Sequence, residues 1–172
     1  MGQESKKYGV ISNIIRSFII HVVISIFCVI MAVALTAVTI LLRFELPLPV
    51  IGLGLVLIVL LYAIAGYWFL VPIPGGNLAS ALPVSLTILA VLLILSIFGR
   101  MSLGSYGISL PQMVSDYFNT PSAFMISVLY RLLVQPDPYL PHPSFLMFIS
   151  VLPPSILLYA GLSLKSAAKN CN

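Results

Sequence analysis

One apolar segment near the N-terminus constrains this chain more than any other feature. Between Arg16 and Arg43 there is no Lys, Arg, Asp or Glu, and Phe, Ile, Val, Leu and Met predominate. At a rise of about 1.5 Å per residue, a helix of this length crosses a hydrocarbon layer of about 30 Å. The segment therefore predicts a membrane-spanning helix over 18–42.

Small and weakly polar residues form one stripe along this predicted helix. Successive residues are about 100° apart around a helix, which puts the members of the stripe within roughly a third of the circumference. They are Ser25, Cys28, Ala32, Thr36 and Thr39, with Ser17 and His21 before them and Arg43 after them. Such a stripe favours packing against other helices, while the rest of the surface faces lipid.

The composition of the whole chain supports the same environment. Only 7% of its 172 residues are charged, whereas soluble domains carry roughly a quarter. We therefore expect a single integral membrane domain, with the lipid bilayer as its main partner. The net charge of +4 comes mostly from basic residues near the termini, which indicates membrane orientation and not nucleic-acid binding. No pattern of residues predicts a metal site or a cofactor.

Three more apolar segments predict spans over 50–70, 78–98 and 144–164. The second carries a face of small residues that includes Gly52, Ala63 and Gly66. Small faces let helix backbones approach closely in lipid, and we expect this one to meet the stripe of the first helix. The fold class predicted from these segments is an all-α integral membrane four-helix bundle.

Two consecutive prolines, Pro153 and Pro154, fall near the middle of the predicted fourth span. Proline lacks the backbone N–H, so carbonyls near Ile149 and Ser150 lose their usual helical partners. We expect a kink there, which could be a site on a path for a solute or ion.

The segment 101–143 is rich in Gly, Ser, Pro, Tyr and Asn, and is predicted to lie outside the membrane. Thr120 and Pro121 predict the start of a helix too short to span, which lies on the membrane surface or dips into the bundle. The polar residues expected to make external contacts are Asp116, Tyr117, Asn119, Tyr130, Arg131, Asp137 and His142.

Basic residues predict the orientation. With four spans, one side of the membrane would carry Lys6, Lys7, Arg16, Lys165 and Lys169. Because cytoplasmic loops are enriched in Lys and Arg, both termini are expected in the cytoplasm, with 101–143 outside. Our working assignment is a bacterial cytoplasmic membrane.

Three functions remain open from the sequence. The leading hypothesis is a non-enzymatic subunit or accessory protein, which associates with other membrane proteins or with itself through the small-residue faces. The alternative is a small oligomeric carrier for a solute or lipid that uses the double proline and the Thr36 and Thr39 stripe. A membrane enzyme using the external polar residues is third, since no predicted span contains the Asp or Glu that intramembrane chemistry usually needs.

Overall fold

The computed structural model describes residues 3–43, 48–98, 119–133 and 149–170, and nearly all of them are helical. In chain order, the helices are α1 (Gln3–Leu42), α2 (Leu48–Phe69), α3 (Asn77–Phe98), α4 (Thr120–Leu133) and α5 (Leu152–Asn170). These ranges contain no β-strand. The prediction of an all-helical chain is thereby confirmed.

Three of these helices are long and apolar enough to cross a membrane. Their apolar stretches are Lys6–Leu41 in α1, Gly52–Phe69 in α2 and Asn77–Ile94 in α3. They correspond to the predicted spans 18–42, 50–70 and 78–98. Helix α1 begins at Gln3, so the polar residues before the first span continue the same helix.

The predicted fourth span, 144–164, is not confirmed. Residues 144–148 lie outside the described part of the chain, and α5 is not among the three helices that could span. Pro153 and Pro154 are in the first turn of α5. A turn at 150–151 separates this helix from the helical residue Ile149, so the chain is interrupted there and not kinked within one continuous helix. The first turn suits proline, since the first N–H groups of a helix have no intrahelical acceptor.

The connection between α2 and α3 is a tight turn, as its Pro and Gly content predicts. Gly75 has a φ of 64°, which is the left-handed region that glycine tolerates best. The Gly76 N–H donates to the Ile73 carbonyl at 2.8 Å, and the Asn77 side chain accepts from the Ile73 N–H at 2.8 Å. These bonds fix the antiparallel arrangement of α2 and α3.

The helices pack around a core in which α5 lies against α2 and α3, and α1 lies against α3 and α2. Helix α4 packs on α1 and α2, so the structure places this short helix within the bundle. The core comprises Ile24, Cys28, Ile58, Tyr62, Leu70, Ala81, Val84, Met125, Leu158 and Leu162.

The closest helix contact joins α2 to α5 and not to α1. A Cβ placed on Gly161 would lie 2.0 Å from the Ala63 carbonyl oxygen, and one on Gly66 would lie 2.5 Å from the Leu158 carbonyl oxygen. Ala63 and Gly66 lie at this contact, whereas a Cβ on Gly52, the third residue of the predicted face, would meet nothing within 4 Å. The helix that Ala63 and Gly66 face is α5, where α1 was expected. The reason is Gly161, whose missing side chain lets the two backbones touch.

The small stripe of α1 is buried over only part of its length. Ser25 and Cys28 are buried, whereas Ala32 and Thr36 are exposed and Thr39 is partly exposed. The Thr36 and Thr39 hydroxyls donate to carbonyls of their own helix, those of Ala32 and Thr36, both at 2.8 Å. Such bonds satisfy a hydroxyl in lipid without a partner helix.

Basic side chains meet at the C-terminal end of α2. Arg16 donates to the Phe69 carbonyl at 3.1 Å, Lys165 donates to the Leu70 carbonyl at 2.8 Å, and Lys6 lies beside Gly75. Cations near the last carbonyls of a helix complement its dipole. The start of α1 and the end of α5 therefore share this end of the molecule, which we call the basic end.

Candidate functional site

A first group of buried polar residues lies on α1 at intervals of four, which places them on one helix face. They are Asn13, Ser17, His21 and Ser25. The Asn13 side chain donates to the Val71 carbonyl at 2.7 Å and accepts from the Val71 N–H at 3.1 Å. The Ser17 hydroxyl donates to the Ser80 carbonyl at 3.2 Å.

His21 belongs to this group and has a structural partner. Its Nδ1 lies 2.7 Å from the hydroxyl of the fully buried Tyr62, and Ser25 also interacts with that hydroxyl. The described residues hold no cluster of His, Cys, Asp and Glu that could bind a metal. These polar groups therefore join α1 to α2 and α3, a role in which their hydrogen-bonding capacity serves packing.

A second group of polar residues joins α3 to the start of α5. The Ser85 hydroxyl donates to the Val151 carbonyl. The Ser155 hydroxyl lies between two backbone groups of α3, accepting from the Ser85 N–H at 3.2 Å and donating to the Ala81 carbonyl at 2.7 Å. In a regular α-helix the Ser85 N–H would donate directly to the Ala81 carbonyl. Here the Ser155 hydroxyl lies between these two groups and bonds to both.

This contact fixes the depth at which α5 begins. Ser85 is eight residues after Asn77, the first residue of α3, which is about 12 Å along the helix axis. From there, α5 runs to the basic end, where Lys165 contacts Leu70. It therefore begins well inside the bundle and covers only part of the length of α3.

Helix α4 begins at the same place. Asn119, the residue before α4, donates from Nδ2 to the Ser150 carbonyl at 2.8 Å and to the Ser150 hydroxyl at 3.0 Å. Phe124 then packs beside Gly54, toward the opposite end of α2 from the basic end. The N-terminal ends of α4 and α5 thus meet inside the bundle, and the two helices run apart from that point.

We call this meeting point the junction. It comprises Ser85, Asn119, Ser122, Ser150, Val151 and Ser155, all of which are buried. The two carbonyls at the break before α5, those of Ser150 and Val151, accept from Asn119 and Ser85. The double proline was expected to leave carbonyls there without helical partners, and side chains from α3 and from the start of α4 supply the missing donors.

Two buried atoms of the junction remain open. Within the described ranges, Asn119 Oδ1 and Ser122 Oγ have no hydrogen-bond partner, and both residues are fully buried. The N–H groups of Ser122 and Ala123 donate to the main-chain carbonyl of Asn119, at 3.0 and 2.9 Å. Asn119 therefore begins the helix through its backbone, and its side-chain oxygen is not used as a cap.

The orientation of the Asn119 amide follows from its neighbours. Exchanging its oxygen and nitrogen would bring Oδ1 against the Ser150 carbonyl, and neither oxygen could donate a hydrogen bond. Nδ2 must therefore point toward Ser150, which leaves Oδ1 as the open acceptor. A buried polar atom without a partner costs about 1–3 kcal/mol, so this atom requires an explanation.

A separate groove runs between α1 and α3. It has a volume of about 600 Å³ and is lined by apolar side chains together with His21, Ser25 and Thr87. Several lining residues, such as Val22, Ile26 and Ile30, are exposed on the outer surface. The groove is therefore an open surface feature, and it shares no lining residue with the junction.

Most of the external residues predicted to make contacts are not placed. Asp116, Tyr117, Asp137 and His142 lie outside the described residues. Tyr130 and Arg131 belong to the last turns of α4, and only their backbone is described. The expectation of an external contact site stays a prediction.

Asn119 was expected among the external contact residues, but it is fully buried and contacts Ser150. The sequence reasoning assigned no site role to Ser122, Ser85 or Ser155. A local signal was present, because Asn or Ser precedes proline within a few residues at both helix starts, in Asn119-Thr120-Pro121 and in the residues 150–154. The start of α4 at Thr120 was predicted correctly. That the two starts meet is a tertiary feature, with no local signature.

The described part of the chain is all-helical. It has three helices long and apolar enough to cross a membrane, and two shorter helices whose N-terminal ends meet between them. Compared with known families, curated proteins and solved structures, the chain matches none at a significant level.

Proposed function

We propose that this protein is a small membrane carrier that binds its solute at the junction. The observation that carries the proposal is the meeting of two helix starts about 12 Å along α3, with the buried atoms Asn119 Oδ1 and Ser122 Oγ unpartnered there. In lipid, interrupted helices are tolerated where they are buried in protein or line a polar cavity. Interrupted helices also form the solute sites of many transporters.

The proposal includes a topology. The basic end faces the cytoplasm, and the chain crosses a bacterial cytoplasmic membrane several times, with both termini inside. The grouping of Lys6, Arg16 and Lys165 at one end supports this orientation, because Lys and Arg are enriched on the cytoplasmic side. The junction would then lie near mid-membrane, accessible in turn from either side.

The test is transport by the purified protein in liposomes. Uncharged, anionic and cationic solutes of low molecular weight are each measured against protein-free liposomes. We expect one class to cross several times faster with protein, and the joint replacement of Pro153 and Pro154 by Leu to abolish the gain. Leucine restores backbone N–H groups at the break and lets the helix extend, which closes the junction.

Pro74→Leu is the matched control, because Pro74 is an exposed residue of the α2–α3 connection. It should leave transport unchanged. If no class of solute crosses faster with a correctly folded protein, the carrier proposal is refuted.

The second candidate is the non-enzymatic subunit, and the far half of α1 favours it. Ile30, Val33 and Leu41 are 61, 64 and 80% exposed, beside the exposed Ala32 and Thr36 of the small stripe. Another membrane protein, or a second copy of this chain, could cover this surface. Co-purification with a stoichiometric partner that is lost in Ala32→Leu and Thr36→Leu would support this function over transport.

A further inference from the structure

The chemistry of the junction indicates which solutes it can hold, and this inference rests on the proposed function. Its described polar atoms are hydroxyls, backbone carbonyls and one amide, all of them uncharged. Around them lie the starts of two helices, whose N-terminal ends carry a partial positive charge. This field disfavours a cation at the junction.

An anion is disfavoured for a different reason. Helix N-termini bind anions through free backbone N–H groups, and five positions at these two helix starts offer none. Pro121, Pro153 and Pro154 have no N–H, and the N–H groups of Ser122 and Ala123 already donate to the Asn119 carbonyl. The prolines therefore retain the helix starts but remove the donors that an anion needs.

The two junction atoms without a partner in the described residues are an amide oxygen and a hydroxyl. Asn119 Oδ1 can only accept a hydrogen bond, whereas Ser122 Oγ can donate or accept. We infer that the junction binds a small uncharged solute bearing O–H or N–H groups, which donates to Asn119 Oδ1 and exchanges a second hydrogen bond with Ser122. Polyols, simple amides and water have this chemistry.

Ser122→Ala is the decisive variant. Because the Ser122 hydroxyl has no partner within the described residues, its removal breaks no internal hydrogen bond there and should not prevent folding. Ser80→Ala is the control, since Ser80 is an equally buried serine that is not part of the junction. Its hydroxyl donates to the Gly76 carbonyl at 2.8 Å and accepts from Asn13 Nδ2 at 3.3 Å.

The experiment measures osmotic volume changes of proteoliposomes by stopped-flow light scattering, with urea and glycerol as uncharged probes. Potassium formate and methylammonium chloride are the anionic and cationic probes. We expect urea or glycerol to cross several times faster with wild-type protein than without it. Ser122→Ala should reduce this gain roughly three- to tenfold, the effect of losing one hydrogen bond, and Ser80→Ala should leave it within twofold.

The other outcomes separate the two proposals. If the protein speeds the crossing of formate or methylammonium but not that of urea or glycerol, the uncharged solute class is wrong and the carrier function stands. Faster urea or glycerol that Ser122→Ala does not reduce would show that the solute does not use this hydroxyl. No faster probe of any class would overturn the carrier, and the open atoms would then hold only a structural water.

Discussion

The contact between α2 and α5 yields the sharpest stability prediction, Gly161→Ala. The added Cβ would lie 2.0 Å from the Ala63 carbonyl oxygen and 2.9 Å from the Tyr67 nitrogen. Ordinary contacts begin at 3.4 Å, so the helices must separate by about 1.4 Å along this line. Both obstacles are backbone atoms, which cannot rotate away as a side chain can.

The loss of stability can be estimated from the packing contacts that this separation weakens. Leu158 and Leu162 are fully buried on α5, and a gap of 0.5–1 Å already removes a quarter to a half of a dispersion contact. Overpacking typically costs about 1–3 kcal/mol, and the rigid backbone places this site at the upper end. The helix propensity of Ala over Gly returns about 0.5–1 kcal/mol, so we expect a net loss of about 2 kcal/mol.

Gly52→Ala is the control, because a Cβ at Gly52 would meet nothing within 4 Å. It should be neutral or gain about 0.5 kcal/mol. Thermal unfolding in detergent is followed with a thiol-reactive fluorophore on the buried Cys28, in a Cys171→Ser background. Two kcal/mol corresponds to a decrease of roughly 4–8 °C in Tm. If Gly161→Ala melts at or above the temperature of Gly52→Ala, the backbone contact between α2 and α5 does not exist.

Three further predictions use the same protein. Ser122→Ala should raise the free energy of unfolding by about 1 kcal/mol because it removes an unpaired buried hydroxyl. Ser80→Ala should lower it by a similar amount. Equal shifts of the two variants in the melting assay would contradict the conclusion that the Ser122 hydroxyl is unpaired. Tyr62→Phe should cost about 1–2 kcal/mol, since it removes a buried 2.7 Å hydrogen bond to the α1 imidazole, and an unchanged Tm would argue against that bond. Single cysteines at Ser166, and at Ser105 outside the described residues, should react with an impermeant reagent from opposite faces; labelling from the same face would refute the topology.

Sequence reasoning found those parts of the fold that depend on local patterns. The charge-free residues 17–42 predict a spanning helix because lipid demands an apolar surface of that length. Pro72, Pro74 and the two following glycines predict the turn between α2 and α3, because their backbone preferences are local. The structure contains the turn and, in α1, a helix long and apolar enough to span.

Which helices pack against each other could not be predicted from local patterns. The small face containing Ala63 and Gly66 indicates a close approach, but small residues do not specify which helix approaches. Gly161 makes α5 the partner of this face, and no pattern in the sequence around Gly161 predicts that contact. The junction was missed for a related reason, since Asn119 and Ser150 are 31 positions apart and each alone resembles an ordinary helix start.

Two buried asparagines show why the junction, and not the polar face of α1, is the place to look for function. Asn13 and Asn119 are 1% and 0% exposed, and each donates from Nδ2 to a backbone carbonyl. Asn13 Oδ1 also accepts from the Val71 N–H at 3.1 Å, so both ends of its amide are used to hold α1 to the α2–α3 connection. Asn119 Oδ1 has no such partner within the described residues. A buried acceptor that stays unpaired destabilises a fold, and in our proposal the solute supplies the hydrogen-bond donor for this oxygen.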